Sequence, residues 1–197
     1  IHLFGQELNQ KTYAVTKSDM LMMNPDGGDA SRIRQGSSLS KDEFRNERFH
    51  YLIANPPYGK NWDMDKKFVT SEHAEGERGR FAPGLPRSSD GQMLFMLSML
   101  SKMRSEEKGG SRVAIVMNGS PLFTGDANGG ESEIRRYIFE NDLLEALVAV
   151  PEQVFYNTGI ATYVWVLTNR KSERRKGKVQ LIDASGEGFW KPMRKSL

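Results

Sequence analysis

Apolar and polar positions alternate in blocks along the first quarter of the chain, and each block predicts an element. Ile1 to Gly5 is a short apolar strand candidate ending at Gly5-Gln6-Glu7, as though the chain were entered midway through a strand. Asn9 stands where a helix N-cap belongs. Tyr13 with Met20, and Ala14 with Leu21, share one helical face and predict a helix to about Met23. Asn24-Pro25-Asp26-Gly27-Gly28 breaks it. Ser31 to Gln35 is a weaker strand closing at Gly36-Ser37-Ser38. His50 to Ala54 shows almost no alternation, the pattern of a parallel strand covered on both faces.

Residues 59–88 form a long polar segment with Trp62, many charges and Gly/Pro punctuation. A structureless stretch of that length is uncommon in a domain and is usually functional or disordered, so a mobile, substrate-side loop is expected. Ser89-Asp90-Gly91-Gln92 has the form of a capping box, with Ser89 as N-cap of an apolar helix to about Met103. Val113 to Met117 is a fully apolar strand; Ile134, Tyr137 and Ile138 mark the inner face of a helix starting near Glu131. Leu143 to Val150 and Ala161 to Thr168 are strands, with Val179 to Ile182 a candidate for a last one. Strands alternating with helices predict a doubly wound α/β sheet with helices on both faces. Ligands in such sheets sit beyond the carboxyl ends of strands, and Glu7, Ser37-Ser38 and Asn55 all fall at such ends.

Composition narrows the chemistry only slightly. The 197 residues suit one domain, which buries about 70% of its unfolded surface and needs no covalent staples. The absence of cysteine excludes disulfides, thiolate zinc sites and a thiol nucleophile. A net charge of +3 and a pI of about 9.1 are compatible with nucleic acid without pointing strongly to it. The longest apolar run, Met93 to Leu100, is interrupted by Ser98 and falls well short of the roughly 20 residues of a membrane span. With no leader-like N-terminus, a cytoplasmic protein is the expectation. His2, His50 and His73 are isolated and suggest no metal site.

The sharpest chemical feature is Asn55-Pro56-Pro57-Tyr58, directly after Tyr51-Leu52-Ile53-Ala54. Asn55 carries a side-chain carbonyl that accepts an N–H. Pro56 has a backbone carbonyl and no N–H, and the second proline biases the first to an extended conformation, so these acceptors are held still. Tyr58 offers a flat face for a heterocycle. Together they suit an exocyclic amino group on a planar ring, whereas the bland reading is a surface turn after a strand.

The tetrapeptide resembles the signature of S-adenosylmethionine-dependent enzymes that methylate adenine N6, and by itself leaves glutamine-N5 methyltransferases open. The resemblance extends through Phe4-Gly5-Gln6-Glu7, Leu52 to Gly59, Asp90-Gly91-Gln92, Val150-Pro151-Glu152-Gln153-Val154-Phe155 and Thr158-Gly159-Ile160-Ala161-Thr162, in order over nearly the whole chain. In that form it is similar to the modification subunit of type I restriction–modification systems, an N6-adenine DNA methyltransferase with a Rossmann-like sheet. The resemblance implies S-adenosylmethionine as cofactor, and DNA, a specificity subunit and a restriction subunit as partners. It implies that Glu7 accepts both ribose hydroxyls of the cofactor. Ser37, Ser38 and Leu39 fall where relatives often carry an Asp-containing turn near the cofactor adenine. Asn55 and the Pro56 carbonyl, with Pro57 stiffening the turn, would take the two N6 hydrogens at the edge of the cofactor, while Tyr58 stacks on a flipped base. Asp90 either contacts the nucleotide or assists the helix cap; Phe155 and Thr158 would line the base pocket, although a Phe there is equally a core residue. Lys60, Lys66, Lys67, Arg78, Arg80 and Arg87 are minor candidates for phosphate contacts.

One family feature is missing. No glycine-rich loop follows an apolar strand and opens a helix: Gly27-Gly28, Gly109-Gly110 and Gly129-Gly130 all lie in turns. The chain therefore reads as a partial catalytic domain over 1–197 that lacks the central first strand, leaving about two strands on one side and four on the other. On its own it is expected to be inactive, and methylation of RNA or a protein glutamine, or a purely structural role, are the alternatives.

Overall fold

The computed structural model describes residues 1–155, 159–186 and 188–191. Two sheets lie side by side. In the smaller, β1 (Gly5–Glu7) pairs in parallel with β2 (Ile33–Gln35), joined by α1 (Gln10–Met23) and a short 3-10 turn. In the larger, β3 (Tyr51–Ala54), β4 (Arg112–Asn118), β5 (Leu144–Val150), β6 (Thr162–Thr168) and β7 (Gln180–Asp183) are ordered β3-β4-β6-β5-β7. β6 runs antiparallel to both neighbours, while β3 with β4 and β5 with β7 are parallel. The split expected from the missing strand is present, as two strands and five.

The helices over the large sheet are α2 (Lys66–Ala74), α3 (Gln92–Leu100), the single turn α4 (Ser120–Phe123) and α5 (Gly130–Glu140). Alternation along β4 sends Val113, Ile115 and Met117 to one face, where they pack with Trp165 and Leu167 of β6. Met93, Leu94, Met96 and Leu97 of α3, Ile134 and Ile138 of α5, and Val69 of α2 close the same core. The residue register explains the choice, because Val113 pairs with Leu167 and Ile115 with Trp165.

Coverage differs from the sequence expectation. β3 is an edge strand that alternates after all: Leu52 and Ala54 turn toward the core, while Tyr51 and Ile53 are 75% and 85% exposed. No residue of α1 is buried, so its apolar positions cover little. The buried residues of α2, α3 and α5 fall in one cluster with those of β4 and β6. An apolar run indicates that a strand has two apolar faces, but burial of the second face needs a neighbour, and here none is supplied by the described residues.

Two further expectations change. The segment 59–88 is not structureless, since it contains α2 and buries Trp62, Val69 and Phe81. The Ser89 capping box does not form: the helix starts at Gln92, with Gly91 at the N-cap and no side-chain cap. Asn9, by contrast, caps α1 as expected, its side chain accepting from the Lys11 and Thr12 amides at 2.9 and 3.1 Å.

The two sheets are joined by packing and charge rather than by a shared ladder. Phe4, just before β1, packs against Phe49 at a tilt and edge-on against Phe44, with ring centroids 5.2 and 5.6 Å apart. Among the described residues, no strand pairs with the free edge of β1 or of β3.

Candidate active site

Asn55 is exposed at the carboxyl end of β3, Pro56 is buried behind it, Pro57 is exposed and Tyr58 is half-buried. The Tyr58 hydroxyl donates to Asn55 Oδ1 at 2.6 Å. That bond fixes which way the amide faces and occupies one of the two lone pairs on its oxygen, leaving the second for an incoming N–H. Partial burial raises the pKa of the Tyr58 phenol, which keeps it a neutral donor across the physiological range. Gly59 follows with φ +58°, a left-handed conformation that lets the chain turn sharply away from the strand.

The far side of this loop is held by the segment before α3. The Gly91 amide donates to the Lys60 carbonyl at 3.1 Å, and the Trp62 amide and indole donate to the carbonyls of Ser88 and Arg87. A Cβ on Gly91 would lie 3.3 Å from the Trp62 side chain, so glycine is what allows this approach. The Asp90 carboxylate is buried and accepts from Gln92 Nε2 at 2.9 and 2.8 Å. Gln92, fully buried, also donates to Asn118 Oδ1 and accepts from the Asn118 amide, both at 3.0 Å. Asp90-Gly91-Gln92 therefore staples the loop after β3 to the end of β4. Asp90 Oδ1 also accepts from the backbone amide of Gln92, the first residue of α3, at 3.2 Å, so of the two readings of Asp90 the geometry shows the cap-assisting one. Gln92→Leu should cost about 1–3 kcal/mol for each buried partner it orphans. The check is a lowered unfolding midpoint, with Gln92→Glu lower still because it sets a second carboxylate against Asp90.

The expected cofactor residues gather at the end of the small sheet. The Gly36 amide donates to the Glu7 carbonyl at 3.0 Å, which sets Ser37 beside Glu7. Glu7 Oε1 accepts from the Asn9 amide at 2.6 Å, while Oε2 has no hydrogen-bond partner among the described residues. Ser37 Oγ accepts from the amides of Leu39 and Ser40, closing a tight turn and leaving its own proton free to donate. Leu39 points into the core at 2% exposure, so its side chain serves packing.

Arg80 locks this turn to the helical layer. Its Nη1 and Nη2 donate to the carbonyls of Ser38 and Leu39 at 2.8 and 2.7 Å, while Nε and Nη2 grip the two oxygens of Glu72 at 2.8 and 2.7 Å. Nη1 also meets Ser98 Oγ of α3 at 3.0 Å, and Asp42 bridges Arg80 to the Lys102 ammonium. Desolvation acts on Glu72 to raise its pKa, but the Arg80 hydrogen bonds and charge outweigh it and hold the carboxyl below the ordinary range. Burial lowers the Lys102 pKa, opposed by Asp42. Arg80 is thus no phosphate contact; both its charge and its donors are consumed inside the protein. Lys60, Lys66, Lys67, Arg78 and Arg87 are exposed, although Arg87 also donates to Ser120 Oγ at 2.8 Å.

No hydrogen bond among the described residues links the Glu7–Ser37 group to the Asn55–Tyr58 group. Phe155 is half-buried beyond β5, and Thr158 lies outside the described residues. Sequence reasoning missed the roles of Arg80, Gln92 and Asn118. Only the Asp90-Gly91-Gln92 motif signalled any of them, since the partners of Arg80 are 8 to 42 positions away along the chain.

These features define a Rossmann-like α/β methyltransferase fold with an acceptor-rich site at its strand ends. In fold it matches a class I S-adenosylmethionine-dependent methyltransferase of Listeria monocytogenes, at a TM-score of 0.62 over 94% of this chain and 50% of that one, with 15% identity. The N-6 DNA Methylase family model matches residues 1–197, and the chain belongs to that family. It is 33% identical over 190 residues to the MjaVII type I restriction enzyme methylase subunit of Methanocaldococcus jannaschii, covering 95% of this chain and 31% of the relative. A type I restriction–modification methyltransferase subunit from Streptococcus thermophilus superposes with a TM-score of 0.74 at 27% identity, covering 93% of this chain and 36% of that one. The chain spans about a third of the length of the curated relatives it matches.

Proposed function

We propose that these residues form the substrate-facing part of an S-adenosylmethionine-dependent methyltransferase acting on adenine N6 in DNA, within the modification subunit of a type I restriction–modification system. The observation that carries this reading is Asn55-Pro56-Pro57-Tyr58 at the open carboxyl end of β3, with Asn55 exposed and its amide oriented by Tyr58. An adenine amino group placed there donates one hydrogen to Asn55 Oδ1 and the other to the Pro56 carbonyl. Acceptors on both hydrogens favour the positive charge that develops as nitrogen forms its new bond. Tyr58 offers a face for the extruded base, and stacking of about 1–3 kcal/mol offsets part of the unstacking cost.

The residues present fit the cofactor. Glu7 has an unengaged carboxylate oxygen for ribose hydroxyls, and the Ser37 and Ser38 hydroxyls remain to meet an adenine ring where relatives use an acid. The carbonyls of Ser38 and Leu39 do not, because Arg80 holds them. When bound, S-adenosylmethionine supplies an electrophilic sulfonium methyl. A strand bearing the glycine-rich cofactor loop would seat between the free edges of β1 and β3, the place the topology leaves open.

Target choice and cleavage would fall to a specificity subunit and a restriction subunit, in the cytoplasm. No helix among the described residues is long and apolar enough to cross a membrane. The test is transfer of tritiated methyl from S-adenosylmethionine by the longest reading frame that encodes these residues, offered DNA, RNA and protein in parallel. Label in the N6-methyladenine of DNA supports the proposal; label confined to RNA or to protein glutamine overturns it.

A further inference from the structure

At the opposite rim of the large sheet, where β4, β5 and β7 begin and β6 ends, lies a cleft of about 450 Å³. Its lining holds four arginines, Arg112, Arg170, Arg174 and Arg175, and a single carboxylate, Glu145. Glu145 is committed to Arg112 at 3.0 Å. Arg170 and Arg175 donate to the main-chain carbonyls of Gly109 and Glu145, at 3.1 and 2.9 Å, which orients their guanidinium groups without neutralising them. Arg174 makes no ion pair or hydrogen bond among the described residues. Outside the lining, Glu173 is engaged by Lys176 at 2.8 Å and Asp142 by Lys171 at 2.5 Å. Three guanidinium groups therefore line one cleft with no ion-pair partner among the described residues. Such an arrangement is self-repelling until an anion enters.

The cleft does not end there. Arg112 and Arg170 also line an adjoining hollow of about 180 Å³ beneath the starts of β3 and β4, with exposed Tyr51 on its wall. The two hollows follow one rim across all five strands, a span of roughly 19 Å at about 4.8 Å per strand. At a rise of 3.4 Å that is the length of about five to six base pairs. A single phosphate or a nucleotide would fill only part of such a track, whereas a repeating polyanion matches it.

We propose that this rim is a second nucleic-acid contact, in which Arg112, Arg170, Arg174 and Arg175 take consecutive phosphates of a duplex backbone. It rests on the DNA reading above, and it lies away from the base-handling end. β4 alone separates Arg112 from Asn118 by about 20 Å, so the rim meets a different stretch of DNA from the one that delivers the target base. Its contribution is retention on DNA irrespective of sequence, because phosphate contacts position and do not specify.

The test is equilibrium binding of a fluorescent, target-free duplex to the full-length protein over a salt series. Arg170→Gln/Arg174→Gln should weaken binding and reduce the slope of log affinity against log salt by about 1 to 2. Arg136→Gln removes the same kind of charge from α5, where Glu133 and Glu140 engage it, and should leave the slope unchanged. An unchanged slope in the double variant overturns the proposal, as does an equal fall in the Arg136 control. So does retention of the slope with loss of subunit assembly, which would assign the rim to a protein partner. Unfolding midpoints verify that the variants fold; Arg174→Gln alone, which severs no hydrogen bond or ion pair among the described residues, serves if the double variant does not. Asn55→Ala should keep the slope, so failure of the methyltransferase reading and failure of this site give different results.

Discussion

Asn55→Ala in the full-length protein is expected to lower methyl transfer to DNA by at least about 10²–10³-fold, the usual loss when one preorganised polar partner of the reacting group is removed. The side chain is exposed and, among the described residues, its one hydrogen bond is to Tyr58, so the unfolding midpoint should hardly move. That separation between activity and stability is the informative part. Asn55→Asp sharpens it: a carboxylate still accepts, but it no longer donates, and it adds charge beside the cofactor. Tyr58→Phe keeps the ring while freeing Asn55 Oδ1 from the phenol, so it should retain much more activity than Asn55→Ala. Near-normal transfer by Asn55→Ala would remove the tetrapeptide from the chemistry and leave its conformation unexplained.

Arg80→Met should be the most destabilising single change in this region, by about 3–5 kcal/mol, the range for breaking a buried ion pair from one side. Arg80 and Glu72 side chains are about a tenth exposed, and the substitution strands a carboxylate together with the carbonyls of Ser38 and Leu39. The measurement is the urea midpoint. Arg80→Met/Glu72→Met should recover part of the loss, because the second change removes the uncompensated charge. A loss under about 1 kcal/mol for Arg80→Met would mean that the network is not what holds the turn. The pH dependence has a definite sign. Glu72 has a folded pKa below its unfolded one, so its contribution is present above the unfolded glutamate value of about 4.3 and disappears as pH falls through the lower folded value. Acid destabilisation in that window should be shallower in Arg80→Met than in the native protein.

Much of the backbone plan was legible from the residues. Alternation and breakers located α1, β2, β3, β4, α5, β5, β6 and β7 to within a few positions, because each depends on neighbours a few residues apart, whereas β1 forms at Gly5–Glu7, after the apolar residues that predicted it. The Asn9 cap is local in the same way. What failed was what depends on distant partners. Ser89 looked like an N-cap by spacing, yet Gln92 turns its amide to Asp90 and Asn118, the latter 26 positions away, and the helix starts later. The segment 59–88 looked polar, yet Trp62 and Phe81 reach the core and draw α2 with them.

The sequence by itself determined the chemistry: a rigid, acceptor-rich tetrapeptide after a strand, an acid closing another strand, no cysteine, and no glycine-rich loop. Those are properties of residue types and short spacings, which survive in one dimension. Only the tertiary structure decided which charges are tools and which are scaffolding. Arg80 and Arg87 read alike in the chain, but Arg80 is spent on Glu72, Asp42 and the turn beside Glu7, while Arg112, Arg170 and Arg174 gather at a rim with one acid among them. A charge's role is set by what comes within a few ångströms of it, and in this sheet those neighbours come from strands and turns far apart along the chain.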